Sequence, residues 1–180
     1  HGKFRRQRQM CIRDRGDTVQ VGVLFDLEPG WHIYWKSPGD SGSATTLDWR
    51  APASTIGPIV WPAPQVFAEA DGLLTTFGYE GEVLLVSEAI VAENASGSWP
   101  LQVDADFVAC LVECIPGRIA LAGSVPIDAE AGGEPASTLI RERFEAAARR
   151  VPVSADTLGL TIAARAARPA AKAGEDLSLI

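Results

Sequence analysis

The chain is poor in the residues that most often build metal and hydrolytic centres: among 180 residues it has 2 His, 3 Cys and 1 Met. A closed zinc site needs four N, S or O donors held together, and with only His1 and His32 and no second cysteine pair the sequence cannot assemble one. A two-thiolate Cu(I) site stays chemically open, since soft ligands suit that ion, although Met10 lends it no support. No G-x-S-x-G elbow is present, so Ser37 and Ser41, near His32 and Asp40, read as turn residues rather than parts of a hydrolase triad. No glycine cluster opens a helix, which excludes a phosphate loop. No run of about 18 apolar residues occurs, so no segment reads as a membrane span. Basic residues are also scarce, 16 against 23 acidic ones for a net charge of -7. Nucleic acid, gripped mainly through its phosphates by Lys and Arg, is thereby excluded as a partner.

The little base there is sits at one end. The opening "HGKFRRQRQMCIRDR" holds six of the 16 basic residues and one of the 23 acidic ones, which leaves 10 and 22 for the remainder, a net of -12. The opening has no initiator Met, no apolar h-region and no cleavage site, so it is not a signal peptide. A basic arm for an acidic surface is one reading; the sharp composition break favours residues 1–16 as a non-native or disordered arm outside the fold. Cys11 leaves the cysteine arithmetic with it. Cys110 and Cys114 remain.

What is present is the alternation of β structure. "TVQVGVLFDL" places Val19, Val21, Val23 and Phe25 on one face and ends at Pro29-Gly30. "WHIYW" predicts a second strand closed by the loop "KSPGDSGS", and "TTLDW" a third. Pro52, Pro58, Pro62 and Pro64 restrict residues 50–67 to edge strand and irregular connection. A turn at Gly78 to Gly81 then leads to a strand from Val83. "SWPLQVDADFVACLV" aligns Leu101, Val103, Ala105 and Phe107, and "RIALAGSVPI" is the last strand. Seven or eight short strands with Gly/Pro turns predict an all-β fold, an immunoglobulin-like antiparallel β-sandwich over residues 17–128. The five tryptophans read as core and edge packing.

"DAEAGGEPAS" reads as linker, and residues 129–152 comprise it and one helix, "TLIRERFEAAARRV". Ser137 or Thr138 is a candidate cap, Leu139, Phe144 and Ala147 or Ala148 share a side, and Arg149 and Arg150 suit the C-terminal end of the dipole. "DTLGLTIAA" resembles the first strand of something new, so residues 153–180 read as the short tail that begins a truncated following segment.

The sharpest feature is "DFVACLVECIPGR", with Cys110 and Cys114 three residues apart. Four steps along an extended strand separate Cα atoms by roughly 13 Å, beyond disulfide reach, so the chain must turn back if the two bond. A strand ending at Ala109, a turn through Leu111, Val112 and Glu113, and a return strand after Pro116-Gly117 would place them across the mouth of a hairpin. Closing a loop of about five residues removes only about 2 kcal/mol of unfolded-state entropy, a poor staple. A short, exposed loop is the setting of exchangeable disulfides. Spacing alone leaves a redox pair, a local structural bridge and a metal pair all open. Glu113 and Arg118 flank the sulfurs with opposing effects on a thiolate and read as solvated charges.

Four stretches in order, "PGWHIYWKSPGDSG" with "LDW" close behind, "GPIVWPAPQVF", "TTFGYEGEVLL" and "DFVACLVECIPG", resemble the periplasmic N-terminal domain of DsbD-type protein-disulfide reductases. The resemblance is especially to the ScsB-like branch linked to copper tolerance. The likeness covers residues 18–127, and "RERFEAAARRVPV" resembles the connector that follows this domain. It implies an immunoglobulin-like sandwich whose redox-active pair maps onto Cys110 and Cys114. The best-known DsbD domains have more residues between their cysteines, a departure that bears on the client.

Further implications are a thioredoxin-like electron donor domain, periplasmic disulfide-containing client proteins, no cofactor, and a membrane link only through other parts of a parent chain. The family also shields its cysteines with an aromatic cap loop. The stretch Phe67 to Tyr79 is the candidate, with Phe77 and Tyr79 as the covering rings and Phe67 next, while His32 and Tyr34 lie on the strand that resembles the active-site strand. The alternative function is a Cu(I)-binding or purely structural β-sandwich.

Overall fold

A computed structural model describes residues 18–92, 95–127 and 138–161. The basic arm with His1, Met10 and Cys11, the linker with Ser137, and the tail beyond residue 161 lie outside the described residues. Nine strands are described: β1 (Thr18–Asp26), β2 (His32–Gly39), β3 (Thr46–Arg50), β4 (Ser54–Val60), β5 (Gln65–Glu69), β6 (Leu74–Glu80), β7 (Glu82–Val91), β8 (Gly97–Cys110) and β9 (Cys114–Ile127). All pairings are antiparallel. One sheet runs β1-β7-β4; the other runs β3-β8-β2-β6-β5, with β9 paired to β8. This is the expected sandwich.

The period of two builds the core. On β1 the side chains of Val19, Val21, Val23 and Phe25 are all buried, as the alternation requires. They meet Ala89, Val91, Trp99, Val125 and Ile127 at one end, and Ile33, Tyr79, Val83, Leu85, Val103 and Ala105 at the other. Trp99 is buried and donates its indole N–H to the Pro52 carbonyl at 3.2 Å. The proline-rich stretch behaves as expected: β4 pairs only with β7, its register shifts between Ile56 and Ile59 around Pro58, and β5 is an edge.

Three boundaries differ from the sequence reading. β2 continues through Lys36 to Gly39, where a loop was expected, with a register shift between Tyr34 and Gly39 that absorbs Pro38. Gly78 lies inside β6, so the turn before β7 reduces to Gly81, which has a positive φ of 69°. Added to Gly78, a Cβ would collide with the Ile33 carbonyl, so this glycine serves close strand approach rather than a turn. Finally β9 begins at Cys114, not after Gly117. Pro116 is tolerated because β9 pairs on one side only and needs no N–H toward its free edge.

Helix α1 (Thr138–Arg149) packs on β7. Ala147 is its buried residue and Ile140, Arg143 and Phe144 are half-buried, whereas Leu139 is 51% exposed, one position off the face expected for it. Arg143 makes a two-pronged pair with Glu82 at 3.2 and 2.8 Å. The Ala63 N–H bonds the Arg150 carbonyl at 2.7 Å, and the Arg150 guanidinium lies 6.0 Å from the Tyr79 ring centre. Asp156–Leu158, expected in a strand, forms a single 3-10 turn: the Ser154 hydroxyl accepts the Thr157 N–H at 3.3 Å and Gly159, at φ 66°, ends it. The local side-chain-to-backbone bond of Ser154 outweighs the strand propensity of the sequence around it.

Candidate functional site

Cys110 closes β8 and Cys114 opens β9, and the two are register partners joined as a disulfide with Cα atoms 4.1 Å apart. That spacing is the close approach of a facing antiparallel pair. The turn Leu111 to Glu113 carries it, with the Leu111 N–H bonded to the Glu113 carbonyl at 3.4 Å. The two sulfurs are unequal: Cys110 is 3% exposed, while Cys114 is an exposed residue at the rim. Around them Leu111, Val112 and Ile115 are 51, 93 and 53% exposed. Leu111 lies against Gly30, whose φ of 84° completes the Pro29-Gly30 turn with the Trp31 N–H on the Glu28 carbonyl.

Strand alternation decides what faces the disulfide. On β2, Ile33 turns to the core, so His32 and Tyr34 turn to the other side, where His32 is the register partner of Cys110. The Tyr34 hydroxyl lies 3.0 Å from Cys110 Sγ and 3.5 Å from Cys114 Sγ. The same hydroxyl lies 3.1 Å from Glu69 Oε1, to which Thr76 also donates at 2.7 Å and which His32 Nε2 meets at 3.0 Å. Tyr34 is immobilised as well as buried. Thr45 donates to its carbonyl at 3.0 Å, and Gly42 lies on its ring so closely that an added Cβ would overlap it. Burial, then the charge and hydrogen bond of Glu69, push the Tyr34 phenol up to about 12, against a small lowering from Ser41. Burial also raises the Glu69 carboxyl, but hydrogen bonds from Thr76, Tyr34 and His32, with the charge of His32, outweigh it and hold the group below the usual carboxylate range.

Phe67, on β5, stacks on the His32 ring at 4.4 Å with an interplanar angle of 13°. The other two proposed cap rings are placed elsewhere. Tyr79 is fully buried in the core beside Ile33 and donates its hydroxyl to the Pro62 carbonyl at 2.8 Å. Phe77 lies 6.4 Å from Trp35, a residue packed against the same core. The reason is parity: Phe77 and Tyr79 alternate with Thr76, so a strand that turns Thr76 toward Glu69 must turn them away. Glu113 and Arg118 are both exposed, and Arg118 pairs with Asp106, its register partner, at 3.3 Å. Among the described residues no three His, Cys, Asp or Glu side chains gather as a metal cluster would.

Sequence reasoning missed Glu69, Thr76 and Gly42. Glu69 sits with Asp71 in "QVFAEADG" with no motif around it, and it meets Tyr34 only because β6 brings β5 and β2 together. Two nearby carboxylates beside a proline-rich edge were the available signal.

The geometry is that of a short, half-exposed disulfide backed by a phenol. Residues 5–124 match the family described as thiol:disulfide interchange protein DsbD, N-terminal. The chain belongs to this family. The matched region begins inside the basic opening that was expected to lie outside the fold. The crystal structure of the N-terminal periplasmic domain of ScsB from Proteus mirabilis superposes with a TM-score of 0.57 at 27% identity. The likeness covers 78% of this chain and 52% of that one, so the chain spans about half the length of that structure. No curated protein matches. The fold and the disulfide thus mark a domain of the thiol–disulfide exchange class.

Proposed function

We propose that this domain passes reducing equivalents in the periplasm, from a thioredoxin-like donor domain of a membrane electron relay to disulfide-containing client proteins, through Cys110 and Cys114. The observation that carries the reading is the inequality of the two sulfurs. A donor thiolate attacks the exposed Cys114 Sγ; the Cys110–Cys114 bond breaks, a mixed disulfide forms at Cys114, and Cys110 leaves as thiolate beside the Tyr34 hydroxyl. The donor's second thiol then attacks the mixed disulfide and frees Cys114. In the other half-reaction the Cys114 thiolate attacks a client disulfide and Cys110 resolves the mixed disulfide. The client departs with two electrons and the internal disulfide is restored.

The position of Tyr34 beside Cys110 supports the reading, since a hydrogen bond from its O–H to a thiolate lowers the barrier to losing Cys110 as a leaving group. The test is the reduction potential of the pair, by equilibration with glutathione and alkylation of the free thiols. An exchangeable pair falls between about -120 and -270 mV, whereas a value below about -300 mV marks a structural bridge and rejects the reading.

A further inference from the structure

Beside the sulfurs, three side chains converge on one atom, Glu69 Oε1. Thr76 donates to it at 2.7 Å, His32 Nε2 lies at 3.0 Å and the Tyr34 hydroxyl at 3.1 Å. The exchange scheme above leaves this carboxylate without a task, and it also leaves a proton without an exit. Cys110 is 3% exposed, so bulk water is poorly placed to collect its proton, yet only its thiolate can close the disulfide. The polar atom beside it is the Tyr34 oxygen at 3.0 Å. A phenol has one proton and two lone pairs. In the disulfide form the Tyr34 O–H is donor to both Cys110 Sγ and Glu69 Oε1. Once Cys110 is reduced and carries a proton, turning the Tyr34 proton to Glu69 leaves a lone pair facing the sulfur, and the chain reads Cys110 S–H to Tyr34 Oη, then Tyr34 O–H to Glu69 Oε1.

We propose that Glu69 is the positioning base of the exchange, receiving the Tyr34 proton as Tyr34 receives that of Cys110. The inference rests on the exchange reading and adds the proton path to it. When a client is held at Cys114, Cys110 Sγ attacks Cys114 Sγ and the client sulfur leaves as thiolate with the electron pair of the broken bond. The Cys110 proton moves to Tyr34 Oη and the Tyr34 proton to Glu69 Oε1, which later yields it to water, its side chain being 20% exposed. Tyr34 cannot store the charge itself, because a tyrosinate there is disfavoured by burial and by Glu69. The charged or titratable groups around this path are His32 on the same strand, Glu80 opposite His32 on β6, Cys114 on β9, and Asp71 in the turn after Glu69. His32 and Thr76 hold Oε1 in place.

The test is rapid-mixing oxidation of the reduced protein by oxidised glutathione from well below the usual carboxylate range, where Glu69 is held, up to neutral pH, separating formation of the mixed disulfide from its resolution by Cys110. Resolution in the unmodified protein should slow toward acid with an inflection set by Glu69. Glu69→Gln should slow it about a hundredfold at neutral pH, at the lower edge of general-base effects, and erase that inflection. Tyr34→Phe should do the same, the double variant should be no slower than either single one, and Glu69→Asp should keep the inflection. An inflection that survives in Glu69→Gln, or losses that multiply in the double variant, would overturn the inference. Should Glu69→Gln not fold, Tyr34→Phe decides alone, since it cuts the path and leaves Glu69 with Thr76 and His32; an inflection retained there overturns it equally. If the unmodified protein forms no mixed disulfide at all, the exchange reading falls first and takes the inference with it. If it exchanges normally without dependence on Glu69, the inference alone falls.

Discussion

Tyr34 and Tyr79 are the two tyrosines of this chain, both fully buried and both near the centre of the same sheet, yet they do different things. Tyr79 faces the other sheet and gives its proton to the Pro62 carbonyl, a partner whose charge never changes. Tyr34 faces away and sits between a carboxylate and a disulfide, partners that can gain or lose charge. Burial raises both phenols: for Tyr79 it is opposed only by the nearby Arg150 charge, whereas for Tyr34 the charge of Glu69 adds to it. The residue type and its burial are shared, so function is decided by which face of the strand the residue occupies. The dry face holds the sandwich together and the other face carries the proposed chemistry.

The largest break in that comparison comes from the cysteines. Mixed with the oxidised, disulfide form of a thioredoxin-like partner, Cys110→Ser should attack it through Cys114 and hold the mixed disulfide there for want of a resolving thiol, while Cys114→Ser should form none because its remaining thiol is buried. Mass spectrometry after alkylation separates the two outcomes. A partner trapped on Cys110 in Cys114→Ser would reverse the assigned order. Either variant should stay folded, losing about 2 kcal/mol from a loop this short, because the core of the other face is untouched.

The tyrosines themselves sharpen it next. Tyr79→Ala should cost about 3–5 kcal/mol in urea unfolding, as for other large aromatic truncations. Tyr79→Phe should cost about 1–3 kcal/mol for an unpaired carbonyl and leave exchange rates unchanged. Tyr34→Phe should show the opposite pattern, with a modest loss of stability and a changed rate. Alkaline titration offers a second view. A phenol whose folded pKa is raised stabilises the native state fully below its unfolded value of about 10 and loses that contribution as pH climbs through the folded value. Tyr34 at about 12, with Tyr79 raised as well, should therefore leave the native absorbance free of tyrosinate at pH 10.5. Ionisation at that pH in the folded protein would show that one phenol is far less enclosed than its contacts imply.

Much of this was legible from residue order, and what escaped has a physical cause. Val19, Val21, Val23 and Phe25 declared their face because burial on one side selects every second residue. The C-x3-C spacing before Pro-Gly required a reversal if the two cysteines bond, and the hairpin is there. Strand limits were less visible, since Lys36 to Gly39 and Pro116 have loop chemistry that edge pairing and a bulge accommodate. The polar cluster was hidden because its members come from β2, β5 and β6, and no local pattern encodes a contact across strands. Phe77 and Tyr79 were nominated as the cap by resemblance alone; one step of register decides such an assignment, and it places both rings on the core side.

The smallest expected effect concerns access to the sulfurs, and it separates the faces without touching the chemistry. Phe67 lies on the His32 ring, and His32 is the register partner of Cys110, so this aromatic pair borders the buried sulfur. A thiolate reacts only as far as reagents reach it. Phe67→Ala should therefore speed alkylation of the reduced pair by iodoacetamide a few-fold, with most of the gain at Cys110 because Cys114 is already exposed. Phe77→Ala, on the other face, should leave both rates unchanged while losing stability from its packing near Trp35. Measurements well below the melting temperature keep local opening from mixing the two effects. Equal acceleration in both variants would mean that reagents reach the sulfurs through unfolding, and faster reaction only in Phe77→Ala would return that ring to the cap.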